Sequence, residues 1–388
     1  MGFVTIIIFI AILSLLVFVH ELGHFWTARR FGIGVSEFGF GLPPRAIGIK
    51  RTEQGWQWVK GNVDDGDVKE MIWSLNWIPL GGFVKIKGEN GDERDQADSF
   101  GAKPVWQRII VLSAGVIMNI ILCVFLLSIG FMVGMPAVVD ETVAGEQTDQ
   151  RVIVASTVPN SPAARAGVMA GDQVAAINDQ PVVNSQQLRQ AITDAAGQSI
   201  NLSIIKSGET KSLMLDPAGD YCGNGNSCIG VQLTDTAIVS YPFFAAIVEG
   251  VKATWTWTQL IVVSLSTALF NAVRGAPLGV DLSGPVGIAV LTGEATSLGF
   301  IYLIQFIALL SLNLAIINIA PFPALDGGRI VFALIEKLRG QAVKQQWENA
   351  VHNIGFMLLM LLVVVVTWRD VLRYGGGWWI AVKSLIGL

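Results

Sequence analysis

The stretch MGFVTIIIFIAILSLLVFVHELGHFWTARR (residues 1–30) decides the fold of this chain. Its apolar run is long enough to cross a bilayer as a helix, which takes about 20 residues at a rise of about 1.5 Å each. No basic residue leads the run and no small-residue cleavage site follows it, so it reads as a retained first span and not a cleaved signal. At its end stand His20, Glu21 and His24. Spaced i and i+4, the two imidazoles share one helix face, one turn apart, and can reach a single tetrahedral metal. Ionisable groups are costly in a membrane helix, so a functional reading outweighs two merely packed histidines. Glu21, beside the first candidate ligand, is placed to take a proton from water. Zinc in such a site lowers the pKa of water to about 7 and polarises a carbonyl, the requirements of peptide hydrolysis.

Working outward, the whole chain supports a membrane setting. Of its 388 residues 52% are hydrophobic and 14% charged, with a mean hydropathy of +0.55, whereas soluble domains carry roughly a quarter charged residues. The net charge of -4 and the lack of a basic stripe argue against nucleic acid as a partner. Four spans are expected, at about 3–25, 107–134, 299–320 and 353–368. The stretch 242–271 is also apolar but carries Glu249 and Lys252, which favours a helix lying on the membrane surface. Arg29 and Arg30 directly follow the first span and put that end on the cytoplasmic side. Residues 26–106 are then cytoplasmic and 135–298 lie outside.

The expected organisation is a first membrane half over 1–136, an inserted α+β domain over 137–236, a surface region over 237–298 and a second membrane half over 299–388. In the insert, the runs VIVAST, QVAAIN, SINLSIIK, LMLDP and IGVQL read as strands, with one helix near 185–195. WSLNWIPLGGFVKIKG (73–88) alternates around Gly81-Gly82 and reads as a hairpin with an apolar face. It is either an ordinary cytoplasmic hairpin or one that dips into the interface and offers an edge strand to an extended peptide. The acidic stretch 92–98 is a solvated loop. Cys123 lies in an apolar run as a packing residue; Cys222 and Cys228 flank a glycine-rich turn and are either disulfide-bonded or two separate thiols.

Two histidines leave a tetrahedral shell incomplete. Asp326, in NIAPFPALDGG (318–328), is the candidate to complete it. Pro321 and Pro323 break the third span and Gly327-Gly328 permit a tight turn, fixing the carboxylate at the membrane boundary. It serves there either as an N-cap or as the third ligand. It shares a membrane face with His24 only if 242–271 does not cross. The remaining histidine, His352, opens the fourth span in an interfacial or capping position. Asn313 and Asn318 either hydrogen-bond between helices or bind the backbone of a substrate helix that must unwind before cleavage.

These motifs together resemble the site-2 protease family, specifically the bacterial RseP-type intramembrane zinc metalloproteases. HELGH (20–24), ARRFGIGVSEFGFG (28–41), IPLGGFVKIKGE (78–89), KPVWQRIIVLSAG (103–115), SGPVGIA (283–289) and the segment 306–329 carry the resemblance. SPAARAGVMAGDQVAAINDQPV (161–182) resembles a PDZ domain of the permuted bacterial type, with Ile229, Gly230 and Val231 matching its carboxylate-binding loop. The resemblance implies one Zn2+ held by His20, His24 and Asp326, with Glu21 as general base. It implies substrate handling by Asn313, Asn318, Pro321 and Pro323, and by the strand containing Gly81, Gly82 and Phe83. It further implies a multi-pass protein of the bacterial inner membrane, its PDZ domain periplasmic and its active site towards the cytoplasm. The substrates implied are single-span membrane proteins, either anti-sigma factors trimmed first by an upstream site-1 protease or remnant signal peptides. Two departures stand out. Ala114-Gly115-Val116 occupies a place where the family often has Ala-Gly-Pro, and the insert has room for one PDZ domain where many members carry two. The competing reading is a membrane-tethered PDZ scaffold with a silent metal site; a structural site needs no base between its ligands. A transporter would show repeats, and none is seen.

Overall fold

The computed structural model describes residues 2–61, 70–89, 96–139, 145–195, 197–206, 209–218, 228–277 and 283–386, with side chains through 375. Residues 92–95 of the acidic loop, and Cys222, lie outside the described residues. The chain divides into two compact units, Met1–Ser128 with Ile247–Leu388, and Ile129–Ala246.

The first unit is built on long helices. α1 (Phe3–Arg30), α2 (Val105–Val133), α5 (Phe243–Val273), α7 (Phe300–Ile319) and α9 (Gln345–Ile386) are each long and apolar enough to cross a membrane. Among the described residues that is one more than the four spans expected; the fifth is the 242–271 helix, expected on the membrane surface, whose Glu249 and Lys252 pair with each other at 2.7 Å. Two shorter helices, α6 (Pro285–Leu298) and α8 (Asp326–Arg339), flank α7.

Named contacts give the helix directions. Val111 and Asn119, in the first half of α2, face His24 and His20 of α1. The second half of α2 meets the first half of α5, where Cys123 Sγ lies 3.6 Å from Thr254 Oγ1. Thr5, at the start of α1, packs against Gly293 of α6. On α9, His352 bonds Ala324, close to Asp326, whereas Asp370 accepts the Gly287 N–H of α6 at 2.7 Å. Eighteen residues of helix separate His352 from Asp370, about 27 Å. α6 and the start of α1 therefore lie at the end of the bundle remote from His24.

Between α1 and α2 lies a three-stranded sheet of β1 (Val35–Thr52), β2 (Gly55–Val59) and β3 (Ile72–Ile86), in the order β2-β1-β3. The hairpin expected at 73–88 is not closed on itself. Phe40 of β1 pairs with Gly82 and also with Leu75, so the two halves of β3 flank β1 instead of pairing with each other. Gly81, with φ 77°, bends the strand between them.

The second unit is an α+β fold. β4 (Met135–Val138), β5 (Glu146–Thr157), β6 (Gln173–Ile177), β8 (Ile200–Lys206), β9 (Glu209–Leu215) and β10 (Val231–Ser240) form a sheet in the order β4-β10-β5-β6-β8-β9, with β7 (Gln180–Pro181) on β6. α3 (Pro162–Arg165) and α4 (Ser185–Asp194) complete it; Asn184 caps α4 and accepts the Gln187 N–H. Its strands fall on the runs read from the sequence because the alternating positions Ile200, Leu202 and Ile204 all point into one buried core with Leu188 of α4. Cys228 is disulfide-bonded and Cys123 is free.

Candidate metal centre and its surroundings

His20 and His24 are both buried, on the face of α1 turned to α2. Their Nε2 atoms lie 3.1 Å apart. Asp326 is the first residue of α8; Leu325 holds the cap position and makes no capping bond. The Asp326 side chain is directed instead to α1, with Oδ2 2.9 Å from His20 Nε2 and 3.4 Å from His24 Nε2. Among the described residues this is the one cluster of metal-ligand type. Three ligands around zinc at about 2.0–2.1 Å in tetrahedral geometry stand about 3.3 Å apart, close to the triangle observed. The set of two imidazoles and a carboxylate, with one position left over, also suits a catalytic ion.

The space for an ion is kept by a glycine. A Cβ on Gly115 of α2 would lie 2.6 Å from both Nε2 atoms. Gly327 and Gly328 serve the same end from the other side: a Cβ on either would strike the carbonyls of Ala320 or Phe322, so only glycine lets α8 start this close to the end of α7. Burial disfavours charge on Asp326, but hydrogen bonds from His20 and His24 outweigh it and hold the carboxyl well below the usual carboxylate range.

The outer nitrogens of the two rings are also engaged. His24 Nδ1–H donates to the Val111 carbonyl at 2.8 Å, which leaves the Nε2 lone pair free for a metal. His20 Nδ1 lies 3.3 Å from the amide nitrogen of Asn119, whose Oδ1 is buried and unpartnered. Turning that amide over brings Oδ1 to His20 Nδ1–H and satisfies both groups. Ser311 of α7 donates to the Asn119 carbonyl at 2.8 Å, tying this residue to the third wall of the site. Neither Val111 nor Asn119 was marked by sequence reasoning. The signal available was Asn119 itself, an amide in the middle of an apolar span.

Glu21 shares its surroundings with Asp326, Glu89 and the Val84 backbone of β3. β3 runs beside α1 towards this point. Ser14 Oγ donates to the Pro79 carbonyl at 2.9 Å, and a Cβ on Gly81 would lie 2.6 Å from Val17. Gly82 lies against Phe18, and Phe83 covers Gly39 of β1. Trp77, Ile78 and Leu80 of the same strand are exposed. Beyond α7, Pro321 and Pro323 occupy the turn between Ile319 and Asp326, with Ala324 at φ 76°. Asn313 and Asn318 are half-buried on α7, about 140° apart around its axis at 3.6 residues per turn, so they do not share one face. In the other unit, the Ile229 and Gly230 carbonyls accept from Ala163 and Val158 at 3.0 and 2.9 Å. β4 pairs only with 236–239 of β10, so among the described residues 231–234 have β5 alone as a strand neighbour.

Long apolar helices around a His-His-Asp triangle with both histidines buried define a multi-pass membrane protein with the ligand set of a metallohydrolase. The chain belongs to Peptidase family M50, whose family model matches residues 8–59 and 65–362. It is 30% identical to the zinc metalloprotease RasP of Geobacillus kaustophilus, over 95% of this chain and 98% of that one. It is 28% identical to the regulator of sigma-W protease RasP of Bacillus subtilis, over 95% and 98%. The regulator of sigma-E protease RseP of Escherichia coli is also 28% identical, over 94% of this chain and 98% of that one. Among solved structures, the PDZ domain of an SdrC-like protein from Listeria monocytogenes matches 24% of this chain and 93% of its own, at 22% identity and a TM-score of 0.20. By family and relatives, this chain is a site-2-type zinc metalloprotease.

Proposed function

We propose that the chain cleaves a peptide bond in or near the transmembrane segment of single-span membrane proteins, with His20, His24 and Asp326 as zinc ligands and Glu21 as general base. The observation that carries this is the His-His-Asp triangle with Glu21 and the β3 strand beside it. When bound, zinc supplies Lewis acidity towards both the scissile carbonyl and the attacking water. Glu21 takes the proton of that water and passes it to the leaving amine. Val111 and Asn119 hold the two imidazoles so that Nε2 of each faces the ion. A substrate helix shields its carbonyls and must be unwound first. β3 around Gly81, Gly82 and Phe83 receives the extended segment by strand addition, and Asn313, Asn318 and the Pro321–Pro323 turn engage its freed backbone. The Ile229-Gly230-Val231 turn and the open stretch of β10 offer a PDZ-type groove for a peptide terminus.

We count four spans, with α5 lying along the membrane. α2 leaves the metal site and α7 returns to it, so the intervening chain begins and ends at the remote face. If α5 crossed, the 11 residues from 274 to 284 would have to return, against about 20 for a spanning helix. The basic pair Arg29 and Arg30 supports a metal site towards the cytoplasmic side of the inner membrane and a periplasmic 137–236 domain. The sigma-regulator relatives support a second cut in regulated proteolysis, after a site-1 protease has trimmed an anti-sigma factor; remnant signal peptides are substrates of the same shape.

The test is cleavage of a model single-span substrate by purified protein in detergent or liposomes. Glu21→Gln is expected to abolish cleavage while keeping its zinc, measured by elemental analysis. Undiminished cleavage by that variant would sink the mechanism. Trapping substrates on Glu21→Gln and identifying them by mass spectrometry then separates anti-sigma factors from signal peptides.

A further inference from the structure

The third histidine of the chain stands outside the ligand triangle but holds the segment that supplies its carboxylate. His352, in the third turn of α9, accepts at Nδ1 the backbone N–H of Ala324, 2.9 Å away and two residues before Asp326. Its other nitrogen is buried and unpartnered, so among the described residues the ring's hydrogen bonding is spent on this turn alone. Ala324 adopts φ 76°, a region that side chains with a Cβ enter only when their surroundings hold them there. Two contacts fix that hold. Phe332 of α8 packs on His352 with ring centroids 5.5 Å apart, and Gly355 sits so close that its Cβ would lie 2.4 Å from Pro323 Cβ.

We propose that His352 is a positioning residue for the metal: by accepting from Ala324 it keeps the 320–325 turn in the conformation that aims Asp326 at His20 and His24. The inference rests on the metal-centre reading above. Asp326 opens α8 behind Leu325, whose side chain makes no cap bond. The turn's own backbone bonds, Phe322 N–H to the Ala320 carbonyl and Leu325 N–H to the Phe322 carbonyl, stay within 320–325, whereas the His352 bond ties it to α9. Loss of the His352 acceptor leaves the Ala324 N–H unpaired in a strained turn, which relaxes and carries Asp326 off the triangle.

The experiment measures zinc affinity of the full chain in micelles by competition with a chelator, independently of proteolysis. His352→Asn keeps an acceptor oxygen at the place of Nδ1, whereas His352→Leu keeps bulk without one. The expected result is about a 10–100-fold weaker affinity for His352→Leu, the range of lost outer-shell contacts, and an affinity for His352→Asn close to that of the unsubstituted chain. His352→Gln, whose oxygen falls at the Nε2 end, replaces the leucine variant if circular dichroism shows the latter unfolded. Unchanged affinity in the acceptor-less variant, or equal loss in His352→Asn, overturns the proposal. Glu21→Gln is measured alongside; absence of zinc binding in both it and the unsubstituted chain would overturn the metal-centre reading itself.

Discussion

The two units of this protein are organised oppositely. Ile129–Ala246 has the interior of a soluble domain, with Val152, Leu188, Leu202 and Ile204 buried together. Of the buried polar side chains among the described residues, only Ser161 and Asp172 belong to it. The other unit turns Phe125, Leu260, Leu361 and Trp368 outward and buries His20, His24, Arg45, Asn119 and Asp370. In lipid there is no gain from hiding apolar side chains, so packing and internal hydrogen bonds hold the helices. Each buried polar group then needs a partner, because water is not there to supply one. The lesson is that chemistry collects where polar groups are buried in the unit whose outside is apolar.

The sharpest way to break this comparison is to remove the carboxylate that meets the two buried histidines. Asp326→Ala is expected to abolish proteolysis. Zinc sites with four ligands bind with about 10–16 kcal/mol, so one share is roughly 3 kcal/mol, a hundredfold or more in affinity. Elemental analysis reads this directly, and a full zinc complement would return Asp326 to a merely structural role. The converse test is in the soluble-type unit. Leu202, fully buried, when replaced by Ala should cost about 2–5 kcal/mol of that unit's stability. Denaturant unfolding should show the loss while the zinc content stays; a parallel fall in zinc would merge what the comparison keeps apart.

A smaller effect sharpens the picture at the ion's cradle. Gly115→Ala adds one methyl against both imidazoles, an overpacking of about 1–3 kcal/mol. It should weaken zinc and slow cleavage without altering helical content, and unaltered zinc affinity would show that the rings have room to move. The smallest effect lies at the solvent-facing rim. Lys87 Nζ donates to both oxygens of Asp98 at 2.9 and 3.0 Å, and this bond holds the Asp98 carboxyl below its ordinary value. A depressed folded pKa contributes stability above the unfolded value, about 3.9, and loses it as pH falls through the folded one. An NMR titration should find Asp98 protonating at lower pH than in Lys87→Met; coincident curves would show the pair to be idle, as many surface pairs are.

Much of the site was readable before the fold. The spacing of His20 and His24 follows from helix period, and Pro321, Pro323, Gly327 and Gly328 mark a turn whatever surrounds them. The strands of the insert were also legible, since alternation along a half-buried strand is local. The 73–88 stretch was not, because its alternation suits a self-paired hairpin as well as two segments flanking β1, and only the position of Phe40 between Leu75 and Gly82 distinguishes them. The extent of α5 was legible, since 242–271 read as a helix; Glu249 and Lys252, which the sequence shows as two charges and the fold as one pair, bear only on whether it crosses.

The sequence by itself determined that two imidazoles share one face of an apolar helix with a carboxylate between them, and that a rigid turn presents a second carboxylate far along the chain. Those are consequences of backbone periodicity and of proline and glycine stereochemistry, which act over a few residues. Only the tertiary structure decided that Asp326, 306 positions from His20, meets it at 2.9 Å. It also decided that Val111 and Asn119 meet the outer nitrogens of the two rings, that Gly115 leaves room beside both, and that His352 bonds the turn before Asp326. Such meetings depend on which helix faces pack together, and no local pattern encodes the partner of a face.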